Sequence, residues 1–180
     1  MLQRYATSCA AFVVITAVSA QVTFTNNSSL LNGDLASGGC VGVCDMNGDG
    51  LDDIATLHNA RQFIVEYQNP DGSFSRVEYG QVSSAGQWGM ALGDINNDGH
   101  KDLICGGSYD GVHYMQITEP GVFTLTDLNN GSMFTQCVNM ADIDNNGAAD
   151  YFACHDDAAP RIWLNDGLGA LSFANVMDFT

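Results

Sequence analysis

The chain runs to 180 residues and carries 21 Asp and Glu against five Lys and Arg, a formal charge of −16. Phosphate backbones are gripped by basic patches, so a chain this acidic excludes nucleic acid as a partner. Once a leader is set aside, the length suits one modest domain with a real core.

The leader comes first. Met1–Ala20 holds one basic residue, Arg4, then the apolar stretch Ala10–Val18, and ends in Val18-Ser19-Ala20, small at the positions before a cleavage site. The stretch is shorter than the roughly 20 apolar residues of a transmembrane helix, and no later segment is long enough to cross a bilayer. Residues 1–20 therefore read as a signal peptide. The mature chain is expected to begin near Gln21 and to be secreted or held at the cell surface.

Val22–Asn26 follows as a strand candidate around Phe24 and Thr25. Next come the apolar run Cys40–Val43, the loop Asp45-Met46-Asn47-Gly48-Asp49-Gly50-Leu51-Asp52-Asp53, and runs at Ile54–Leu57 and Phe63–Tyr67. Gly72 then marks a turn, and Phe74-Ser75 opens a fourth strand. The series returns with Trp88–Leu92, the loop from Asp94 to Asp102, Leu103–Cys105, Val112–Gln116, and Gly121 ahead of Phe123-Thr124. It returns again with Cys137–Met140, the loop from Asp142 to Asp150, Tyr151–Cys154, Arg161–Leu164, and Gly169 ahead of Leu171-Ser172. The first aspartates lie 49 and 48 residues apart, and each turn glycine stands 27 residues after its own first aspartate. Four short strands at that period form the pattern of a propeller blade.

The loops carry the chemistry. Positions 1, 3, 5 and 9 hold oxygen-bearing side chains: Asp45, Asn47, Asp49 and Asp53; Asp94, Asn96, Asp98 and Asp102; Asp142, Asp144, Asn146 and Asp150. Position 6 is always Gly, which permits a sharp bend. Position 7 is Leu51, His100 or Ala148, a variation that suits a residue offering only its backbone carbonyl. Ca²⁺ is a hard ion that takes about six to eight oxygens at ~2.3–2.6 Å, and this spacing points alternate side chains inward onto one ion. Three Ca²⁺ are therefore expected, and they would bring the formal charge to −10. Without them the loop carboxylates repel one another, so the metal-free chain is expected to be less stable. An EF-hand would need a bidentate Glu at position 12, where this chain has Thr56, Cys105 and Ala153. Short apolar strands, not helices, follow each loop, so the ion is expected in a strand-to-strand turn.

The segments Gly93–Asp102 and Ala141–Asp150, each followed by a G-x-F-[ST]-like strand, resemble FG-GAP/VCBS repeats. The resemblance spans essentially residues 22 to 180. It implies the calcium-bearing β-propeller blades of integrin α-subunit heads and of many secreted bacterial proteins. It is specific for fold and metal and weak for role, since such propellers serve adhesion, carbohydrate binding and scaffolding. The third loop has Asn146 where the others have Asp49 and Asp98, which predicts the weakest site of the three.

The expected fold is all-β. Domain 21–180 holds about three blades of four antiparallel strands, near 38–80, 86–130 and 135–178, preceded by Val22–Asn26 as the last strand of an incomplete blade. Such a set is a partial propeller, because a closed ring needs about four to eight blades. Either the chain is a piece of a longer one, or copies self-associate through their open blade edges.

Five cysteines follow the leader: Cys40, Cys44, Cys105, Cys137 and Cys154. An odd number leaves one thiol unpaired in a monomer, and buried cysteines or a single disulfide are expected. Cys40 and Cys137 occupy equivalent places in different blades and are not expected to pair. No catalytic motif is present, and His58, His100, His113 and His155 are scattered; His155-Asp156-Asp157 reads as a solvated turn. Trp88, Tyr114 and Trp163 read as core or inter-blade packing ahead of a sugar-binding face. Asn26, Asn27 and Asn130 begin N-x-[ST] sequons.

The expected function is a secreted, non-catalytic calcium-binding repeat module for recognition, adhesion or scaffolding, with a protein or glycan as ligand. Two alternatives stand beside it: the binding portion of a larger secreted carbohydrate-active enzyme, and a self-assembling surface protein.

Overall fold

The computed structural model describes residues 23–128, 133–155 and 159–175. The leader, the Asn130 sequon and Asp156-Asp157 lie outside those residues. Among them the regular structure is twelve strands and one short 3₁₀ turn, Ser28–Leu30.

The first blade comprises β1 (Val41–Cys44), β2 (Asp53–His58), β3 (Gln62–Gln68) and β4 (Phe74–Gln81). The second comprises β5 (Gln87–Gly93), β6 (Asp102–Gly107), β7 (Val112–Glu119) and β8 (Val122–Asp127), and the third β9 (Thr135–Ala141), β10 (Asp150–His155), β11 (Arg161–Asn165) and β12 (Leu171–Asn175). Every sheet runs antiparallel in plain sequence order, strand by strand. The apolar runs read from the sequence lie within these strands, and each loop bridges the first and second strand of its blade. No helix among the described residues is long and apolar enough to cross a membrane.

One expected strand does not form. Val22 lies outside the described residues, and Thr23–Asn26 is irregular, with Phe24 95% exposed. No described strand lies alongside to pair with its backbone groups, and an unpaired backbone takes water instead. The chain next packs on the first blade, where Asn32 donates its backbone N–H to Glu66 Oε1 at 3.2 Å.

Alternation places the core between blades. Ala55, Leu57, Phe63, Val65 and Tyr67 face Leu103, Cys105, Met115 and Ile117 across the first junction. Ile104, Val112, Tyr114, Val138, Tyr151 and Trp163 fill the second. Each fully buried aliphatic or aromatic side chain contributes about 1.5–3 kcal/mol. The inner strands meet through small residues. A Cβ on Gly42 would stand 2.6 Å from Leu92 Cδ1, one on Gly89 2.8 Å from the Val138 nitrogen, and one on Gly93 2.6 Å from Met140 Sδ. Strand β1 thus meets β5, and β5 meets β9, small face against large.

Candidate metal centre

All three Asp loops leave the first strand of a blade and return on the second. Position 1 curls them. The Asp45 carboxylate accepts the N–H groups of Gly48 at 2.7 Å, Asp49 at 3.1 Å and Gly50 at 2.8 Å. Asp94 accepts those of Asp98 and Gly99, and Asp142 those of Asn146 and Gly147. The glycine at position 6 is left-handed in each, at φ 87°, 94° and 91° for Gly50, Gly99 and Gly147. Position 4 is left-handed as well, held by Gly48, Asn97 and Asn145. Asn is among the few side chains that tolerate this conformation.

Positions 3 and 5 work as a pair. Asn47 donates its amide to Asp49 at 3.0 Å, and Asn96 donates to Asp98 at 2.8 Å. In the third loop the polarity reverses, with Asn146 donating to Asp144 at 3.3 Å. Each loop therefore holds three carboxylates and one amide at positions 1, 3, 5 and 9. Asn146 removes a carboxylate at position 5, but Asp144 supplies one at position 3, so the charge count gives no ground for the weaker third site expected from Asn146. Position 5 also accepts the N–H of position 7, from Leu51, His100 and Ala148 at 2.8, 2.9 and 2.8 Å.

Position 9 is fully buried in all three loops and opens the second strand. Asp53 takes the N–H of Met46 on one oxygen and that of Gln68 on the other, both at 2.8 Å. Asp102 does the same with Ile95 and Ile117, and Asp150 with Ile143 and Asn165. Burial pushes the Asp53 carboxyl up, against those N–H groups and with help from Asp49 and Asp45. Burial likewise pushes Asp102 up to about 6; the N–H groups of Ile117 and Ile95 pull it back, and Asp98 and Asp94 push it further. Both carboxylates sit where a nearby cation would favour the charged form.

The donor set suits a hard ion. Oxygens of Asp142, Asp144 and Asp150 lie within 4.8 Å of one another, close enough for ligands of one ion whose bonds are ~2.3–2.6 Å long. In the second loop Asn96 Oδ1, at position 3, is buried without a hydrogen-bond partner. Side chains at positions 1, 3, 5 and 9, with the position-7 carbonyl, form an all-oxygen set of the kind that fits Ca²⁺.

Sequence reasoning missed several residues here. The apolar side chains at position 2, Met46 and Ile95, plug the core, and their carbonyls link blades. Met46 accepts the Lys101 N–H at 2.9 Å, and Ile95 accepts the Asn165 amide at 2.8 Å. The signal was present as a constant interval of 15 residues from position 9 to Gln68, Ile117 and Asn165.

Other candidates resolve differently. Tyr114 and Trp163 are core, whereas Trp88 is exposed. His113 Nε2 lies 3.6 Å from Asp110, but Ser83 and Ser84 also bond that acid, not the imidazole, so no nucleophile stands on its base. The five cysteines among the described residues are free; Cys137 and Cys154 face each other across β9 and β10.

The architecture defines a class: propeller-type blades with an Asp loop between their first two strands. Residues 45–105 and 94–153 each match the FG-GAP-like repeat, together more than half of the chain, and the chain belongs to that repeat family. Among solved structures it is similar to an Agrocybe aegerita lectin described for specific recognition of non-reducing terminal N-acetylglucosamine. The two share 19% identity and a TM-score of 0.52 over 72% of this chain. The match spans 36% of the lectin's length, and the likeness is one of fold. No curated protein sequence matches the chain closely.

Proposed function

We propose that the chain is an exported calcium-binding repeat module that recognises a protein or glycan and carries no catalytic centre. The observation that carries this reading is the three-fold recurrence of one loop geometry, with clustered carboxylates in the third copy and an unpartnered Asn96 Oδ1 in the second. Ca²⁺ at each loop would neutralise carboxylates that burial and mutual repulsion disfavour, and would tie the first strand of a blade to its second. The residues of this chain do the rest: they curl the loop, fix position 9 and leave the opposite ends of the blades free to present a surface. A leader ending at Ala20 suits export, and extracellular calcium is abundant enough for weak sites.

Thermal unfolding in excess EGTA and in millimolar Ca²⁺ tests the metal. A ligand at 100 times its Kd stabilises by about 2.7 kcal/mol per site, so the melting temperature should rise clearly with Ca²⁺. Coincident melting curves would reduce the loops to plain turns. Sequencing of the exported protein should begin at Gln21, and an intact Met1 would remove the case for export.

A further inference from the structure

Two cysteines stand directly opposite one another in the third blade. The β9–β10 ladder keeps its register from Asp150 against Ala141 to Cys154 against Cys137, and shifts only beyond that pair. Residues directly opposed in an antiparallel ladder share a face, with Cα atoms about 4.5–5.5 Å apart. A disulfide joins Cα atoms about 4.4–6.8 Å apart, so the strands already hold both residues at bridging distance. Val138 is turned into the core between the second and third blades, which points its neighbour Cys137, and Cys154 with it, to the other face. There Cys137 is exposed and Cys154 half-buried. Burial and the adjoining Cys154 side chain push the Cys137 thiol up.

Among the described residues no other cysteine faces a cysteine across a ladder. Cys44 opposes Asp53, and Cys105 opposes Met90 and His113. Cys40 and Cys44 are four residues apart along one extended run, roughly 13 Å at the rise of a strand. Cys40 and Cys105 share the first inter-blade core, where burial keeps both from an oxidant.

The other blades are held differently at this place. In the second, the corresponding opposed residues are Gly89 and Gly106. The third blade packs onto both: a Cβ on Gly89 would stand 2.8 Å from the Val138 nitrogen, and one on Gly106 2.6 Å from Thr135 Cγ2. In the first, Leu57 donates its N–H to the Cys40 carbonyl, and both side chains are covered by the second blade. In the third, the same face carries an exposed thiol.

We propose that Cys137 and Cys154 are an oxidation site, closing to a disulfide that clasps β9 to β10 once the chain is exported. The proposal rests on the export reading above, since disulfides persist in oxidising compartments. The oxidant is a small-molecule or protein disulfide. Deprotonated Cys137, the more accessible thiol, attacks one of its sulfurs, forming a mixed disulfide and releasing the first thiolate. Deprotonated Cys154 then attacks Cys137 Sγ and expels the second. Two cysteine thiols lose two electrons and two protons, and the oxidant leaves as two thiols. The bridge closes a ring of about 18 residues with the whole loop from Asp142 to Asp150 inside it, which restricts the unfolded chain and holds the third loop's two strands together.

The test takes the full chain, purified reduced and equilibrated with glutathione and its disulfide, then alkylated in denaturant, cut at aspartates and mapped by mass spectrometry. Cuts at Asp142, Asp144 and Asp150 fall between the two cysteines, so the bridge appears as two joined peptides that a reductant separates. One bridge, Cys137 to Cys154, is expected, with Cys40, Cys44 and Cys105 recovered alkylated. The oxidised chain should melt several degrees above the reduced one. Cys137→Ser and Cys154→Ser should each abolish the bridge and that rise, while melting as the reduced parent does. Cys137 held as a mixed disulfide with glutathione, or joined to another cysteine or a second chain, would overturn the pairing. That arm needs no export, so its failure leaves the export reading standing. A bridge that forms in buffer, with both thiols still reduced in the chain recovered from its host's medium, would overturn oxidation on export. Recovery only from inside the cell, with Met1 intact, would remove the export reading as well.

Discussion

The buried carboxylate of Asp53 accepts the backbone N–H of Gln68 at 2.8 Å, fastening the last position of the Asp loop to the far end of the third strand. The contact recurs at the same length between Asp102 and Ile117 and between Asp150 and Asn165. The oxygens of position 9 therefore hold the blade together whether or not an ion is near, a duty separate from the metal binding proposed for them.

Those duties separate by mutation. Asp150→Ala leaves the N–H of buried Asn165 and that of half-buried Ile143 without their acceptor and should cost about 2–4 kcal/mol in EGTA. Asp144→Ala removes an exposed carboxylate bonded within its own loop and should cost little in EGTA while reducing the gain from Ca²⁺. Urea unfolding of both variants, with and without metal, checks this. Equal losses in EGTA would refute the division.

The backbone crowding at Gly107 sets a second expectation. A Cβ there would stand 2.0 Å from the Gly86 carbonyl oxygen and 2.6 Å from Gln87 Cα, both main chain and unable to yield separately. Gly107→Ala should destabilise by about 3 kcal/mol or more. Gly38→Ala, with nothing within 4 Å, should fall within about 0.5 kcal/mol of the parent in the same denaturant series.

Glu66 is wholly buried and leans on Arg76 at 3.1 Å and on Asn32. Arg76→Leu leaves that carboxylate without its cation and should cost about 3 kcal/mol, since breaking one side of a buried pair costs about 3–5. The Glu66→Gln, Arg76→Leu double variant should recover part of the loss. A double variant as unstable as the single would show that Arg76 acts through packing alone.

The thiols should modify in order of access. Cys137 is exposed and Cys105 is buried, with burial pushing the Cys105 thiol well above its ordinary range. Mass spectrometry after brief alkylation should find Cys137 modified first and Cys105 unmodified until the chain unfolds. Early labelling of Cys105 would contradict its placement in the first inter-blade core.

Much of this was legible in the residues. Period, strand order and loop position followed from repeated spacing, because alternation and left-handed glycines are written in residue type. The latch was not. Its donors are main-chain N–H groups of Gln68, Ile117 and Asn165, which share no side-chain chemistry, so only their common interval pointed to it. Asn146 misled for a related reason. The positions behave as hydrogen-bonded pairs, and reading one member without Asp144 miscounted the charge. Thr23–Asn26 looked like a strand by its distance from the first loop, but a strand is made by its neighbour.

The packing of small faces on large ones gives the array a direction. Gly42 receives Met90 and Leu92, Gly93 receives Met140, and Gly89 lets the main chain at Cys137 and Val138 come close. At the two ends of the series β1 turns Val41 and Val43 outward, and β9 turns Cys137, Asn139 and Ala141 outward. Like a row of stacked cups, the units share one orientation, and each offers its successor the same kind of socket that its predecessor offered it. Duplication of a whole unit would then create no foreign junction, only another copy of one already in use. Inversion or half-unit slippage would set large against large and be rejected sterically. A lineage built this way can lengthen in steps of about 48 residues without inventing a new interface.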